Sequence, residues 1–144
     1  MLRQFMVGAA ISLCNITIHA LVMAVVVRVA QRASAIAYAN SALLLIGVMI
    51  ATVAVLMVAH TAEVFVWSLA YLLVGAVPPG SSLTYFAFVN YTTLGYGDIT
   101  PVKDWQLLGP MTAMNGVLLF GWSTAVIFEV LRRTMAQAPA RPLA

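Results

Sequence analysis

The 144-residue chain is strongly apolar, with 63% hydrophobic and only 8% charged residues, whereas soluble domains contain about half and about a quarter. This composition excludes an ordinary soluble fold, and the net charge of +3 is too scattered for a nucleic-acid surface. A membrane-spanning helix needs about 20 apolar residues, so the length predicts an all-α integral membrane protein with about four spans.

The first apolar run extends from Phe5 to about Val29, which is long enough to span a bilayer with some tilt. A cleaved signal peptide is the alternative, because Arg3 precedes the run, but the run is longer than a usual signal core. Asn15 and His19 lie four residues apart within it. Polar groups inside a span usually face protein, so hydrogen bonds between helices are favoured over a proton-sensing role.

The next apolar stretch, residues 35–77, is too long for one crossing. We predict a second span at residues 36–58 and a third at residues 62–77, joined by a short turn at the polar residues His60 and Glu63. If the helix instead continues, these two residues are neighbours and form a candidate pH-sensing pair, because histidine titrates near neutrality. A turn without a further role is the plainer interpretation.

Residues 81–101 are neither a full span nor a polar loop. About ten membrane-compatible helical residues follow Pro78 and Pro79, which end the third span, and a glycine-rich segment comes next. Irregular backbone at membrane depth is tolerated only where it is buried in protein or lines a water-filled cavity. The pattern therefore predicts a re-entrant pore helix and loop between the third and fourth spans.

The last apolar run, residues 107–131, predicts the fourth span, and the arginine pair at its end marks a cytoplasmic side. Counting back through four spans places both termini in the cytoplasm of a multi-pass protein of the cell inner (plasma) membrane. This topology puts Arg28 and Arg32 on the outer side, which conflicts with the positive-inside rule.

The segment after the short helix has the pattern needed for binding a dehydrated cation. Gly95 and Gly97 adopt positive φ easily, so glycines alternating with other residues allow successive carbonyls to face one side. Four such strands around an axis form stacked oxygen rings that replace the water shell of K⁺. The predicted ion-binding residues are Thr93, Leu94, Gly95, Tyr96 and Gly97.

Two flanking residues complete this segment. Thr92 is expected to support its inner end, and Asp98 is expected to concentrate cations at the outer mouth. The run Thr-Thr-Leu-Gly-Tyr-Gly-Asp from Thr92 to Asp98 resembles the signature of the potassium-channel pore-loop superfamily. The whole chain resembles a small bacterial channel with four spans and one pore loop. The resemblance implies a homotetramer in the lipid bilayer, because each chain supplies one quarter of the filter.

Two departures from the family pattern lead to an alternative. The family usually has valine at Leu94, and it often has a tryptophan pair that supports the filter where this chain has Tyr85 and Phe86. Phe86 offers no hydrogen bond, so a weakly selective or nonselective monovalent cation channel is the first alternative. The second is a nonconducting membrane subunit or adaptor that retains the pore fold and binds a partner.

The last span contains candidate gating residues. Gly116 and Gly121 are either hinges or sites of close helix packing. One helical face, which either lines the cavity or contacts lipid and neighbours, contains Asn115, Leu118, Leu119 and Trp122.

We predict three regions: two peripheral helices (1–61), a pore domain (62–133) and a short cytoplasmic tail (134–144). We find no nucleophile with a paired base and no phosphate-binding loop. We therefore expect no enzymatic activity, no cofactor and no transition-metal site, with K⁺ in the filter as the only bound ion.

Overall fold

The structure, a computed structural model, describes residues 1–36 and 41–136 and is built from helices. A single 3-10 turn, Lys103–Trp105, precedes the last helix. Within the described residues, three helices are long and apolar enough to cross a membrane. The α-helices are α1 (Leu2–Ile36), α2 (Ser41–Val74), α3 (Leu83–Tyr91) and α4 (Leu108–Ala136).

Helix α2 is continuous through the position where we predicted a turn between two spans. Its 34 residues correspond to about 50 Å of helix. His60 and Glu63 lie inside this helix, so the prediction of four transmembrane helices is wrong for the described residues. The side chains of His60 and Glu63 do not need water at a turn, because side chains of other helices form hydrogen bonds with them. The predicted boundary between residues 61 and 62 also falls within α2, and residues 137–144 of the predicted tail lie outside the described residues.

Helix α1 runs parallel to α4 and packs along its length. At one end the backbone N–H of Leu107 donates to the side chain of Gln4 at 2.9 Å. Near the middle, Asn15 donates to Asn115 at 3.1 Å. Toward the other end, apolar side chains of both helices form one cluster with Leu56 of α2: Met23, Val26, Ala30, Val126 and Val130.

The parallel packing gathers four arginines at one end of the bundle, namely Arg28, Arg32, Arg132 and Arg133. Ala30, between Arg28 and Arg32, shares a cluster with Val130, which precedes Arg132 by two residues. Arg3 lies at the opposite end, with its guanidinium 4.4 Å from the centre of the Trp105 ring. Leu2 of α1 and Ala136 of α4 lie at opposite ends of the bundle, so the prediction that both termini lie in the cytoplasm no longer has its four-span basis.

The short helix α3 packs between α2 and α4 over an aromatic core. Trp67 and Tyr71 of α2 are fully buried, as is Leu108 of α4, and Phe86 and Tyr91 of α3 are almost completely buried. Large apolar side chains on the outer faces of α1, α2 and α4 are exposed in the single chain. This distribution is typical of helices whose outer faces contact lipid, and it leaves polar contacts for the interior.

Candidate functional site

Helix α3 has defined ends that position the loop after it. The Ser82 side chain caps its start by accepting a hydrogen bond from the N–H of Tyr85 at 3.4 Å. At the other end, Thr92 donates twice to the carbonyl of Phe88, from its N–H at 3.0 Å and its hydroxyl at 2.7 Å. Thr92 therefore fixes the exit of the chain from the helix.

The backbone after α3 alternates between two conformations. Thr93, Gly95 and Gly97 have φ angles of +60°, +59° and +76°. The N–H groups of Leu94 and Gly95 both donate to the Val89 carbonyl, at 2.9 and 3.3 Å. We predicted positive φ only for the glycines. Thr93 also has a positive φ although it is β-branched. For a β-branched residue a positive φ is a genuine outlier, and such strained backbone occurs mostly at functional sites.

The side chains of this segment point away from the chain's own core. Leu94 is 54% exposed and Tyr96 is 68% exposed in a single chain. Beyond them, the side chain of Asp98 is hydrogen-bonded to Tyr85, and this bond raises the pKa of the Tyr85 hydroxyl. The segment is thus attached to the first turn of α3 by Asp98.

Whereas Tyr85 is exposed, Phe86, the second predicted support residue, is buried. It is 2% exposed, and its ring centre lies 4.9 Å from that of Tyr71 on α2. Tyr71 in turn forms a buried hydrogen bond with Thr112 of α4. Phe86 therefore anchors α3 to the two long helices and makes no polar contact with the glycine-rich segment.

The two candidate gating glycines of α4, Gly116 and Gly121, differ in their surroundings. A Cβ atom on Gly116 would lie 2.0 Å from the carbonyl oxygen of Tyr91, so α3 and α4 approach each other closely there. A Cβ atom on Gly121 would meet nothing within 4 Å. The geometry favours close packing over a hinge at Gly116. The predicted face of α4 also divides, since Asn115 and Leu119 are buried but Leu118 and Trp122 are exposed in the single chain.

A buried hydrogen-bond network connects α1, α2 and α4 beneath this segment. The Asn15 amide donates to the Glu63 carbonyl at 3.2 Å and to the Asn115 side chain at 3.1 Å. The Trp67 indole donates to the same Asn115 oxygen at 3.0 Å. The prediction that polar residues of the first span form hydrogen bonds between helices is confirmed.

The Glu63 carboxylate is the centre of this network and is fully buried. Its Oε1 atom lies 2.8 Å from Nδ1 of His19, and its Oε2 atom lies 3.0 Å from Nδ1 of His60. The Tyr91 hydroxyl donates to the same Oε2 atom. Because Tyr91 is the last residue of α3, a carboxylate of α2 holds the end of the short helix from which the glycine-rich segment emerges.

Ser123 of α4 closes the network from the other side. Its hydroxyl oxygen lies 2.9 Å from Nε2 of His60 and 3.3 Å from Nε2 of His19. We name the five residues His19, His60, Glu63, Tyr91 and Ser123 the Glu63 cluster. Sequence reasoning placed His60 beside Glu63 but missed His19. Only the three-dimensional packing of α1 reveals that contact.

We predicted no transition-metal site, but the Glu63 cluster contains three residues of the types that bind metal ions. His19, His60 and Glu63 each offer one ligand atom, and these atoms lie within 4.8 Å of one another. However, all four ring nitrogens and both carboxylate oxygens already have hydrogen-bond partners in the cluster. The structure describes these atoms as members of a hydrogen-bond network, and the expectation of no transition-metal site stays a prediction.

Comparison with known proteins decides the class. Residues 59–133, slightly more than half of the chain, match the sequence model of the family described as "Ion channel". The chain belongs to this ion channel family. The match confirms the predicted pore-loop superfamily, and the channel is a multi-pass membrane protein. No curated protein and no solved structure matches the chain.

The matched residues of the channel include the second half of α2, all of α3, the glycine-rich segment and most of α4. Helix α1 lies outside the match, yet it supplies Asn15 and His19 to the network beneath α3. The first helix is therefore a structural part of the channel domain's core and not a separate peripheral helix.

Proposed function

We propose that four copies of this chain form a potassium-selective channel that conducts K⁺ passively down its electrochemical gradient. The observation that carries the proposal is the alternating backbone directly after α3, with positive φ at Thr93, Gly95 and Gly97. Such alternation turns successive carbonyls toward one side, which an extended strand cannot do. Rings of carbonyls of this kind replace the hydration shell of K⁺. Thr93, Leu94, Gly95, Tyr96 and Gly97 would form the filter.

The incomplete site in one chain supports the proposed homotetramer. A single segment offers oxygens from one side only, whereas K⁺ selectivity filters use four equivalent segments. The exposure of Leu94 and Tyr96 in one chain fits side chains that neighbouring copies would cover. Asp98, at the end of the segment, would place four negative charges at the mouth and raise the local cation concentration.

The orientation we propose follows from the arginines. Arg28, Arg32, Arg132 and Arg133 lie at one end of the bundle, so the positive-inside rule places that end in the cytoplasm. The N-terminus and the filter mouth then face outward, and the C-terminus faces inward. With three spans, the conflict that Arg28 and Arg32 created in a four-span topology disappears. The plasma membrane is the proposed location.

Glu63 and Tyr91 act as positioning residues in this proposal. They do not contact the ion, but their hydrogen bond holds the end of α3 where the filter begins. Tyr85 has a similar part at the other end of the filter through its bond with Asp98. The filter is thus supported by polar contacts at its base and at its mouth.

Ion flux into proteoliposomes tests the proposal. We expect the wild type to take up K⁺ and exclude Na⁺, and we expect Gly95→Ala to lose K⁺ uptake because a Cβ strains the positive φ. Gly47→Ala is the matched control, since Gly47 lies in a helix and a Cβ there meets nothing within 4 Å. Equal loss in both variants would contradict a specific role of Gly95.

A weakly selective cation channel is the second candidate, and the observation that favours it is Phe86. Its ring packs against Tyr71 and offers the filter no hydrogen bond. Uptake of Na⁺ comparable to that of K⁺ by the wild type would establish this candidate. Intact tetramers that pass neither ion would support a nonconducting subunit.

A further inference from the structure

We propose that the Glu63 cluster binds one extra proton, counted from the state in which Glu63 is ionised and both imidazoles are neutral. We further propose that release of this proton weakens conduction. The site itself depends only on the contacts among its five residues. Its effect on conduction rests on the proposed channel function.

The first argument is a count of hydrogens. With Glu63 ionised and both rings neutral, the cluster holds four polar hydrogens: one on each imidazole, one on Tyr91 and one on Ser123. The contact of His19 with Glu63 requires one hydrogen. The two contacts of Ser123 with Nε2 atoms require one each.

The remaining contacts form a triangle of His60 Nδ1, the Tyr91 hydroxyl oxygen and Glu63 Oε2. Each of the three atoms lies within hydrogen-bond distance of the other two. At least two hydrogens are needed to link three atoms by hydrogen bonds. The cluster therefore requires five hydrogens and has four. In the four-hydrogen state, two acceptors would face each other without a proton, and a buried acceptor left without a hydrogen bond destabilises that state.

The second argument is charge. Glu63 and His19 are both 0% exposed, and an isolated ionised carboxylate in such a place is very unfavourable. The groups that face Glu63 are His19 from α1, His60 from α2 and Tyr91 from α3, with Ser123 of α4 behind the rings. Among the described residues no lysine or arginine forms an ion pair with Glu63. The surrounding rings on α4 are Phe120 and Trp122.

One extra proton supplies the missing hydrogen and also removes the net negative charge of the cluster. If an imidazole carries it, that ring donates from both nitrogens and its charge neutralises the carboxylate. If Glu63 carries it, the carboxyl group is neutral and supplies the missing hydrogen to the triangle with His60 and Tyr91. In either arrangement the cluster contains five hydrogens and no net charge. Lower pH preserves this state, and rising pH removes the proton.

The cluster is coupled to the filter through Tyr91. This residue ends α3, two positions before Thr93, and its carbonyl packs against Gly116 of α4. When the proton leaves, the cluster becomes anionic and one contact loses its hydrogen. We expect the resulting repulsion to displace the Tyr91 end of α3 and to reduce K⁺ current.

Current measured at equal pH on both sides of a bilayer tests the coupling. Glu63→Gln removes the ionisable group and supplies amide hydrogens without charge. We expect the wild-type current to fall about fivefold or more between about pH 6.5 and about pH 9.5, and we expect the Glu63→Gln current to stay level. Glu129→Gln is the matched control, because within residues 1–36 and 41–136 Glu129 pairs only with Arg132 and Arg133 at the end of α4. We expect this variant to keep the wild-type pH profile.

A level wild-type current, or the same profile in the wild type and Glu63→Gln, would overturn the coupling. Nonselective current with the expected pH profile would overturn the proposed K⁺ selectivity and leave the proton site supported. The two failures are therefore distinguishable.

A second measurement needs neither current nor a variant. The chain contains two histidines, and both belong to the cluster, so nitrogen NMR of histidine-labelled tetramer reports on this site alone. Carbon NMR of labelled glutamate carboxyls adds the state of Glu63. We expect one excess proton per chain at about pH 7, on a ring or on the carboxyl. Two neutral rings beside an ionised Glu63 at that pH would overturn the proposal.

Discussion

The carbonyl oxygen of Tyr91 lies 2.0 Å from the point where a Cβ atom would stand on Gly116. The end of α3 therefore rests directly on the backbone of α4, and only glycine permits the contact. On its other side Tyr91 is held by Glu63 of α2. The base of the proposed filter is thus fixed between two long helices by one small residue and one carboxylate.

Gly116→Ala should push α3 away from α4. We expect a loss of about 2 kcal/mol or more in stability, since backbone atoms cannot move aside as a flexible side chain can. Thermal unfolding of the detergent-solubilised protein measures the change. Gly121→Ala is the control, because a Cβ there meets nothing within 4 Å, and alanine favours helix. Unchanged stability in both variants, with altered gating in both, would instead support hinges.

Asn15→Leu should loosen α1 from the rest of the bundle. The substitution removes two hydrogen bonds, to the Glu63 carbonyl and to Asn115, and keeps the number and branching of the side-chain heavy atoms. Hydrogen bonds between membrane helices contribute about 0.6 kcal/mol each, and at most about 1.7 kcal/mol. We expect a drop in stability of about 1–2 kcal/mol in the same unfolding measurement. Cys14→Ala, at the neighbouring exposed position, should leave the stability unchanged; an equal loss there would contradict a specific role of Asn15.

Tyr85→Phe should free the Asp98 side chain at the filter mouth. The hydroxyl is the only group removed, so we expect a faster decline of K⁺ current during sustained recording, because the outer end of the filter loses its attachment to α3. Asp98→Asn should act in the same direction, since it replaces a charged acceptor with a weaker neutral one. A current that is as stable in both variants as in the wild type would contradict the attachment.

The raised pKa of Tyr85 also separates two pH effects. Because the folded-state pKa lies above the usual value of about 10, the hydroxyl keeps its proton and remains a donor at every lower pH. Tyr85 therefore contributes no change in current between about pH 6.5 and about pH 9.5. A pH profile in Tyr85→Phe that matches the wild type is expected. A Tyr85→Phe profile that loses the alkaline fall would assign that fall to Tyr85.

The position of the N-terminus distinguishes three spans from four. In a Cys14→Ala background, Leu2→Cys and Met135→Cys place single thiols at exposed positions of opposite helix ends. We expect an impermeant thiol reagent to label Leu2→Cys on intact cells and Met135→Cys only after permeabilisation. Labelling of both from the same side would contradict the arrangement of α1 parallel to α4.

Sequence alone was sufficient for the parts of this chain that local patterns determine. Proline, glycine and the short apolar run located α3 and the glycine-rich segment. The continuity of α2 was not predictable in this way, because hydropathy registers His60 and Glu63 as polar without showing whether water or protein satisfies them. Their spacing of three residues is the signal that fits a helix. The contact of His19 with Glu63 joins residues 44 positions apart, and no local pattern contains it.

Thr93 shows a second limit of sequence patterns. Glycine identifies two of the positions with positive φ, but a β-branched residue ordinarily avoids that conformation. The hydrogen bonds of the preceding helix end, including that of the Thr93 N–H to the Asn90 carbonyl at 2.9 Å, hold it there. Local hydrogen bonds at the end of α3 thus complete an alternation that the glycines only begin.

The reversal potential of wild-type channels, with K⁺ on one side of a reconstituted bilayer and Na⁺ on the other, tests the central claim most directly. A carbonyl filter built from Thr93 to Gly97 predicts a reversal potential strongly displaced in the direction of K⁺ permeability. A robust current that reverses near zero would contradict K⁺ selectivity.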